Sequence, residues 1–216
     1  FSFHPVKHIA TGEGGMITTR DRNLYERLRL LRSHGIEKDP ARWTGSSAER
    51  GPWYYEMQAL GFNYRITDMQ CALGLSQLAK LDRFVEKRRS SARLYDRLLA
   101  PLADVVRTPR ESAGTCASYH LYAVEIDFAK IGRTRTAVME SLKRDRIGTQ
   151  VHYIPVPTQP YYRERFGDIS KTIPNAENYY KGALSLPLFP AMGESDVRRV
   201  VGSLIRALGV KGSQKM

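Results

Sequence analysis

The residues best suited to chemistry stand near the start of the chain, where Lys7 ends the sequence Ser-Phe-His-Pro-Val-Lys and Thr-Gly-Glu-Gly-Gly follows at positions 11–15. Pro5 stiffens this segment, so the lysine amine stands on a fixed loop. A lysine that is partly desolvated or close to other cations can keep a neutral amine, which forms Schiff bases. The glycines let the backbone pass close to a bulky ligand. By itself, however, the pattern equally fits a surface lysine that only aids solubility.

Further motifs follow in the same order along the chain. They are Arg-Ser-His-Gly at 32–35, Leu-Gly-Phe-Asn-Tyr-Arg at 60–65, Val-His-Tyr-Ile-Pro at 151–155, Gln-Pro-Tyr at 159–161 and Leu-Ser-Leu-Pro-Leu at 184–188. Together with the Lys7 segment they resemble the DegT/DnrJ/EryC1/StrS family of sugar aminotransferases over nearly the whole chain. The resemblance implies the α/β fold of the fold-type I pyridoxal-phosphate-dependent transferases. Residues 1–105 are then the C-terminal part of the large cofactor domain, ending in a long linking helix, and 106–216 the small C-terminal α+β domain.

The resemblance also implies roles for residues at the cofactor. Lys7 matches the lysine that binds pyridoxal 5'-phosphate covalently, and Ser2 matches a hydroxyl that contacts the cofactor phosphate. Asn63 matches a residue that reaches the phosphate of the neighbouring subunit, which implies a homodimer with shared active sites. Taken from its own surroundings alone, Asn63 is equally well interpreted as a turn residue.

Three residues are candidates for the substrate. Arg65 is suited to the phosphates of a sugar nucleotide, because a guanidinium pairs with two phosphate oxygens at once. His152 and Tyr153 match a family loop that faces the substrate. Outside the family context, Arg65 is also interpretable as a member of a surface ion pair and Tyr153 as a core residue.

Three segments narrow the implied reaction. They are Trp-Tyr-Tyr-Glu-Met at 53–57, Asn-Tyr-Arg at 63–65 and Gly-Leu-Ser-Gln-Leu at 74–78. They look most like the branch that aminates a UDP-linked 4-keto-6-deoxy-N-acetylamino sugar on the way to pseudaminic acid, with L-glutamate as donor. Aminotransferases for other nucleotide 4-keto sugars share much of this pattern and stay an alternative, as does an inactive structural homologue. Family members that are dehydratases carry histidine at the lysine position, so Lys7 favours transamination.

The composition limits the possible partners. With 34 Lys and Arg against 22 Asp and Glu, the net charge of +12 favours anionic partners. A basic module for nucleic acid would need aromatic platforms among its basic residues or a basic recognition helix, and neither pattern occurs.

No apolar run is long enough to cross a membrane and no signal peptide is recognisable, so a cytoplasmic protein is expected. Because the chain opens with Phe1, we expect it to be cut from a longer protein whose upstream part completes the cofactor site.

No metal site is predicted. The histidines at positions 4, 8, 34 and 120 show no ligand spacing, and we interpret them as structural. Cys71 and Cys116 stand far apart, without a CxxC pair, and are expected to be small buried thiols.

Periodicity predicts the elements of the first half. A helix follows Asp21 and ends at Gly35, and residues 14–19 form a strand. Residues 39–52 are a long exposed loop. One long helix runs from the Thr67-Asp68 cap to near Pro101, and its basic residues, Arg88 among them, form a solvated face.

The second half is predicted to contain a strand-helix-strand unit at 119–126, 135–146 and 149–154. A last helix at 195–208 has one apolar stripe that a sheet or another helix must cover. The tail from Lys211 is expected to be disordered.

Overall fold

The computed structural model describes residues 1–45 and 51–210, and it divides the chain into two compact units. The first begins at Phe1 and ends at Leu81, and the second begins at Asp82. The helices are α1 (Arg22–Arg32), α2 (Asp68–Leu78), α3 (Leu81–Leu99), α4 (Arg135–Arg144), α5 (Pro160–Phe166), α6 (Pro174–Gly182) and α7 (Glu194–Leu208). The strands are β1 (Ile36–Glu37), β2 (Glu56–Met57), β3 (Val106–Arg107), β4 (Tyr122–Ile126) and β5 (Ala183–Leu186). None of the helices described has both the length and the apolar character needed to span a membrane.

Helix α1 forms where the leucine spacing predicts it. The Asp21 carboxylate caps its N-terminus by accepting hydrogen bonds from the N–H groups of Asn23 and Leu24, at 2.8 and 3.1 Å. After the helix, the chain turns through Gly35, where φ is +69° and an added Cβ would lie 1.7 Å from the carbonyl oxygen of Ala59. Helix α1 itself ends at Arg32 with Ser33 as its C-cap, and Gly35 closes the turn that follows by donating from its N–H to the carbonyl oxygen of Leu30 at 2.9 Å.

Among its described residues, the first unit contains one pair of strands. β1 and β2 are antiparallel, with Ile36 opposite Met57 and Glu37 opposite Glu56. The predicted loop lies between them and starts with a 3-10 turn at Pro40–Arg42. Residues 46–50 of this loop lie outside the described part of the chain.

The strand predicted at residues 14–19 is wrong. The one pairing of this segment among the described residues is an isolated antiparallel bridge between Ser2 and Gly15. A run of β-forming residues becomes a strand only when a second extended segment pairs along it. Local composition predicts the extended backbone but not the partner.

The single helix predicted from Thr67 to Pro101 is in fact two helices. Thr67 and Gln70 form a capping box at the start of α2, as the sequence suggests. Ala79 and Lys80 then form a turn before α3 begins. The apolar residues keep their three-to-four spacing across this turn, which contains no glycine or proline, so periodicity cannot detect it.

The second unit is built on a three-stranded antiparallel sheet of order β3-β4-β5. Alternate residues of β4 are buried, and all four residues of β5 are. Helices α3, α4 and α7 supply most of the other members of one core cluster, among them Tyr95, Leu142 and Leu204. The helices predicted at 135–146 and 195–208 are thereby confirmed, and the sheet and helices cover the apolar stripe of α7.

Two strand predictions in this unit need correction. The strand expected at 119–126 begins only at Tyr122, and Tyr119 has a positive φ of 49°. The strand expected at 149–154 reduces to an isolated bridge between Gln150 and Ser185. The partner that runs along β4 is β5, which sequence periodicity did not single out.

Two burial predictions are also wrong. Arg88 does not lie on a solvated face but is buried, and its Nη1 donates to the carbonyl oxygens of Tyr119, His120 and Leu188. Conversely, the cysteines at 71 and 116, expected to be buried, are both exposed. The tail predicted to be disordered, from Lys211 onward, lies outside the described residues.

Candidate functional site

Lys7 ends a tight turn that its sequence favours. The N–H of Lys7 donates to the carbonyl oxygen of His4 at 2.9 Å, which closes a four-residue turn with Pro5 at its second position. Proline favours that position because its ring fixes φ near the value that the turn requires. The Lys7 side chain is half-buried. The turn therefore holds the amine on a short, stiff segment, as the sequence predicts.

The two sides of this loop are joined at its base. Thr11 N–H donates to the carbonyl oxygen of Phe3 at 3.0 Å, and Phe3 N–H donates to that of Gly14 at 2.9 Å. Beyond these bonds, Met16 N–H donates to the carbonyl oxygen of Phe1 at 3.1 Å. Residues 3–11 thus form a closed loop on a paired base.

Helix α2 supports the base of the loop. Thr11 is buried, and its hydroxyl donates to the carbonyl oxygen of Glu13 at 2.7 Å. Gln70 of α2 donates to the same carbonyl at 2.9 Å. Gly74, one turn further along α2, is close enough that an added Cβ would lie 3.1 Å from the Thr11 methyl group. A capped helix and a glycine contact therefore fix the segment that carries Lys7.

The other two residues expected near the cofactor are exposed. The Ser2 hydroxyl lies 3.5 Å from the N–H of His4, at the base of the same loop as Lys7. The side-chain oxygen of Asn63 accepts a 3.4 Å hydrogen bond from the N–H of Arg65, a local contact typical of a turn residue. The phosphate-binding roles of both residues stay predictions.

Arg65 lines a cavity of about 660 Å³ in the first unit, and Lys7 does not. Five lysines and arginines and three carboxylates contribute to its wall: Arg29, Arg32, Lys38, Arg42, Arg65, Glu26, Glu37 and Asp39. Arg42 is bonded to Glu26 at 2.9 Å and thereby holds the pKa of that carboxyl below its ordinary value. Arg65 forms no ion pair with any described residue, whereas Arg42 in the same wall pairs with Glu26, Glu37 and Asp39. The role of Arg65 toward phosphate stays a prediction.

His152 and Tyr153 lie in the second unit. Nδ1 of His152 is 2.8 Å from the hydroxyl oxygen of Ser185 on β5. The Tyr153 ring stands edge-on to the His152 ring, with the ring centres 4.5 Å apart, and 69% of Tyr153 is exposed. Tyr153 is therefore not a core residue.

Ser185 and Thr11 stand in two of the motifs described above, but the sequence assigned neither of them a role. Both serve through contacts between segments far apart along the chain, to His152 in one case and to α2 in the other. No local spacing reports such contacts. Of the predicted site residues, the first unit contains Ser2, Lys7, Asn63 and Arg65. The neighbour of Arg65 in the chain, Ile66, lies beside Gly14 at the base of the Lys7 loop.

Comparison with known proteins covers almost all of the chain. The model of the DegT/DnrJ/EryC1/StrS aminotransferase family matches residues 1–205. The spore coat polysaccharide biosynthesis protein SpsC of Bacillus subtilis is 42% identical over 202 residues, which are 93% of this chain and 51% of SpsC. The chain thus spans about half the length of this relative.

Solved structures give the same result. PseC of Helicobacter pylori, an aminotransferase involved in the biosynthesis of pseudoaminic acid, is 28% identical with a TM-score of 0.83, and the match covers 96% of this chain and 52% of PseC. The aminotransferase TlmJ of Streptoalloteichus hindustanus is 32% identical with a TM-score of 0.81, covering 96% of this chain and 51% of TlmJ. The expected α/β fold of fold-type I aminotransferases is therefore confirmed.

Proposed function

The chain belongs to the DegT/DnrJ/EryC1/StrS aminotransferase family, and from that premise we propose that its protein transfers an amino group to a nucleotide sugar, with Lys7 as the cofactor lysine. Members of this family depend on pyridoxal 5'-phosphate, and solved relatives include forms named for this cofactor and its amine form. The observation that carries the proposal is the closed turn that holds half-buried Lys7 on a base fixed by α2.

The residues present fit this cofactor. A primary amine on a stiff turn is the group that bonds to an aldehyde, and Lys7 supplies it. Ser2, at the base of the same loop, has an exposed hydroxyl that can donate to a phosphate oxygen. When bound, the cofactor supplies an electron sink for charge that develops on the substrate carbon.

Lys7 also has a second task, the movement of protons. Its Nζ, when freed from the cofactor, removes the proton from the α carbon of the amino donor, for which we propose L-glutamate. In the second half of the reaction the same nitrogen returns a proton to the sugar carbon that receives the amine. Because one amine does both, its position on the turn has to stay fixed through the cycle.

For the acceptor we propose a UDP-linked 4-keto-6-deoxy-N-acetylamino sugar, as in a pseudaminic acid pathway. The involvement of the similar aminotransferase PseC in the biosynthesis of pseudoaminic acid supports this choice. The basic wall of the cavity at Arg65 suits the diphosphate of such a substrate. His152 and Tyr153 are proposed to contact the sugar nucleotide. Another nucleotide 4-keto sugar is the alternative substrate.

We also propose the domains, the oligomeric state and the location of the whole protein. Residues 1–105 are assigned to the large cofactor domain and 106–216 to the small one. Asn63 is proposed to reach the cofactor phosphate of a second copy, which makes the protein a homodimer with shared sites. The cytoplasm is its proposed location.

A borohydride experiment tests the proposal. The full-length gene product is incubated with pyridoxal phosphate, reduced and digested, and mass spectrometry should find the cofactor on the peptide that contains Lys7. Lys7→Ala should abolish both this label and amination of the 4-keto sugar nucleotide. Lys80→Ala is the matched control, because Lys80 is also half-buried but bonds to Ser76 of α2. A label on another lysine would contradict the assignment, and a labelled protein that aminates no nucleotide sugar would indicate an inactive homologue.

A further inference from the structure

Ser185 occupies a fixed position in the sheet of the second unit. On one side, β5 pairs with β4, where Ser185 lies opposite Ala123. On the other side, Ser185 N–H donates to the carbonyl oxygen of Gln150 at 2.7 Å, and Gln150 N–H donates to the carbonyl oxygen of Ser185 at 3.3 Å. Only 5% of the residue is exposed. The backbone of Ser185 therefore has little freedom to move.

The Ser185 hydroxyl points to one described partner. It lies 2.8 Å from Nδ1 of His152, two residues beyond Gln150, and no other described residue bonds to it. A buried hydroxyl that donates to nothing is costly, because its hydrogen loses the water that would have accepted it. Nδ1 of His152 is thus the acceptor for the Ser185 O–H.

We propose that Ser185 is a positioning residue that holds neutral His152 in the tautomer with its proton on Nε2. A ring nitrogen that accepts a hydrogen bond carries no proton itself, so the proton of the neutral ring lies on the other nitrogen. The fixed strand and the 2.8 Å contact also set the direction of the ring. His152 then offers an N–H donor at Nε2.

Only the effect of this tautomer on catalysis rests on the proposed function. If His152 contacts the sugar nucleotide, the Nε2–H group donates to an oxygen of that substrate. Ser185 then acts through His152, without touching the substrate. The tautomer itself can be measured without any substrate or cofactor.

Nitrogen NMR of the chain labelled with ¹⁵N-histidine tests the tautomer. Long-range proton–nitrogen correlations distinguish Nδ1–H from Nε2–H, and His152→Gln identifies the resonances of His152 by their loss. The spectra are recorded near pH 9, above the usual histidine pKa of about 6.5. Wild-type His152 is expected to carry its proton on Nε2. Ser185→Ala should shift the ratio of tautomers toward Nδ1–H by roughly fivefold, the effect of one net hydrogen bond.

Two variants control this measurement. Ser185→Thr keeps the hydroxyl and should keep the wild-type tautomer. Ser203→Ala removes another buried serine of the same unit, one that accepts from Arg206 at 2.8 Å, and should leave the His152 signals unchanged. Wild-type protein with Nδ1–H, or with an even mixture, would overturn the inference even if Ser185→Ala failed to fold. An unchanged ratio in a folded Ser185→Ala variant would do the same.

Kinetics of the full-length gene product separate this inference from the proposed function. Ser185→Ala should lower kcat/KM in the sugar half-reaction by roughly tenfold, because a misoriented contact group costs up to about a hundredfold. The half-reaction with the amino donor should not change. If wild-type protein catalyses neither half-reaction, the proposed function fails while the NMR result stands. If both half-reactions fall equally in Ser185→Ala, a positioning role toward the sugar is contradicted.

Discussion

Two charged residues are held by polar groups of the chain and not by opposite charges. Buried Arg88 donates to three backbone carbonyl groups, and Glu56 accepts from the N–H groups of Thr44 and Gly45 at 2.7 and 2.9 Å. Neither forms an ion pair with a described residue. Each therefore fixes backbone segments in place. Arg88 fixes segments of the second unit, and Glu56, in β2, fixes residues 44 and 45 of the loop between β1 and β2. For such residues the number and direction of the hydrogen bonds matter more than the net charge nearby.

The Glu56 carboxylate should make the stability of the first unit depend on acid. Burial alone would raise its pKa, but hydrogen bonds from Gln58, Thr44, Gly45 and Tyr54 outweigh burial and lower the pKa to about 2, from an ordinary value of 4.5. A depressed pKa in the folded chain contributes stability above pH 4.5, and this contribution is lost as the pH falls from 4.5 toward 2. We expect protease cleavage of the loop at residues 44–58 to accelerate across that window, measured with an acid-active protease.

Glu56→Gln should remove this acid dependence. An amide has one acceptor oxygen where the carboxylate has two, so backbone N–H groups of the loop lose a partner and cleavage is fast even at pH 7. Glu164→Gln, at an exposed position, serves as the control and should behave like the wild type. Equal cleavage rates for Glu56→Gln and wild type at pH 7 would show that the carboxylate does not hold the loop.

At the scale of elements, sequence patterns predicted helices better than strands. Helices α1, α4 and α7 are stabilised by bonds within one segment, and their apolar spacing, with the Asp21 cap of α1, is visible in the sequence. The expected strand at 14–19 failed because its pairing with residues 1–3 stops at one isolated bridge, and the one at 149–154 failed because β5 takes that place beside β4. Pairing partners depend on long-range contacts, and no local pattern records them.

In the candidate site, too, local geometry was predictable from the sequence and long-range contacts were not. The turn at Lys7 was predictable, because Pro5 and the glycines determine local backbone geometry. The supports of that turn were not. Thr11 meets Gly74 only because α2 packs against the loop, and Ser185 meets His152 only because β5 lies beside Gln150. The sequence therefore indicated the residues suited to chemistry but not those that position them.

The base of the Lys7 loop should tolerate no side chain at Gly14. There φ is +151°, and an added Cβ would lie 2.7 Å from the Thr11 hydroxyl and 3.3 Å from the end of Ile66. Gly14→Ala should therefore displace the base and lower borohydride trapping of the cofactor at Lys7, by about tenfold for a clash of roughly 1–3 kcal/mol. Gly12→Ala is the matched control. Its φ is +83°, but an added Cβ meets nothing within 4 Å, so only backbone strain is added. Equal trapping in the two variants would contradict the role of this close contact.

At the scale of the whole chain, the buried apolar residues are concentrated in the second unit. All members of the core cluster lie between Ala92 and Leu208. In the first unit, neither α1 nor α2 contains a buried residue among those described, and Met69 and Leu75 of α2 are exposed. Burial of apolar surface is the main source of folding free energy. The two units should therefore differ sharply in stability when each is separated from the other.

Residues 82–210 expressed alone should unfold in urea in one cooperative transition. The buried, stacked rings of Tyr95 and Tyr122, 4.6 Å apart, provide a near-ultraviolet circular dichroism signal for it. Leu142→Ala should lower the free energy of unfolding by about 2–5 kcal/mol, because Leu142 is fully buried, whereas exposed Val156→Ala should change it little. Residues 1–81 alone should show no such transition. The opposite pattern would refute this division, whereas the expected one would show that residues 82–210, the unit that contains His152, hold most of the folding free energy of the two pieces.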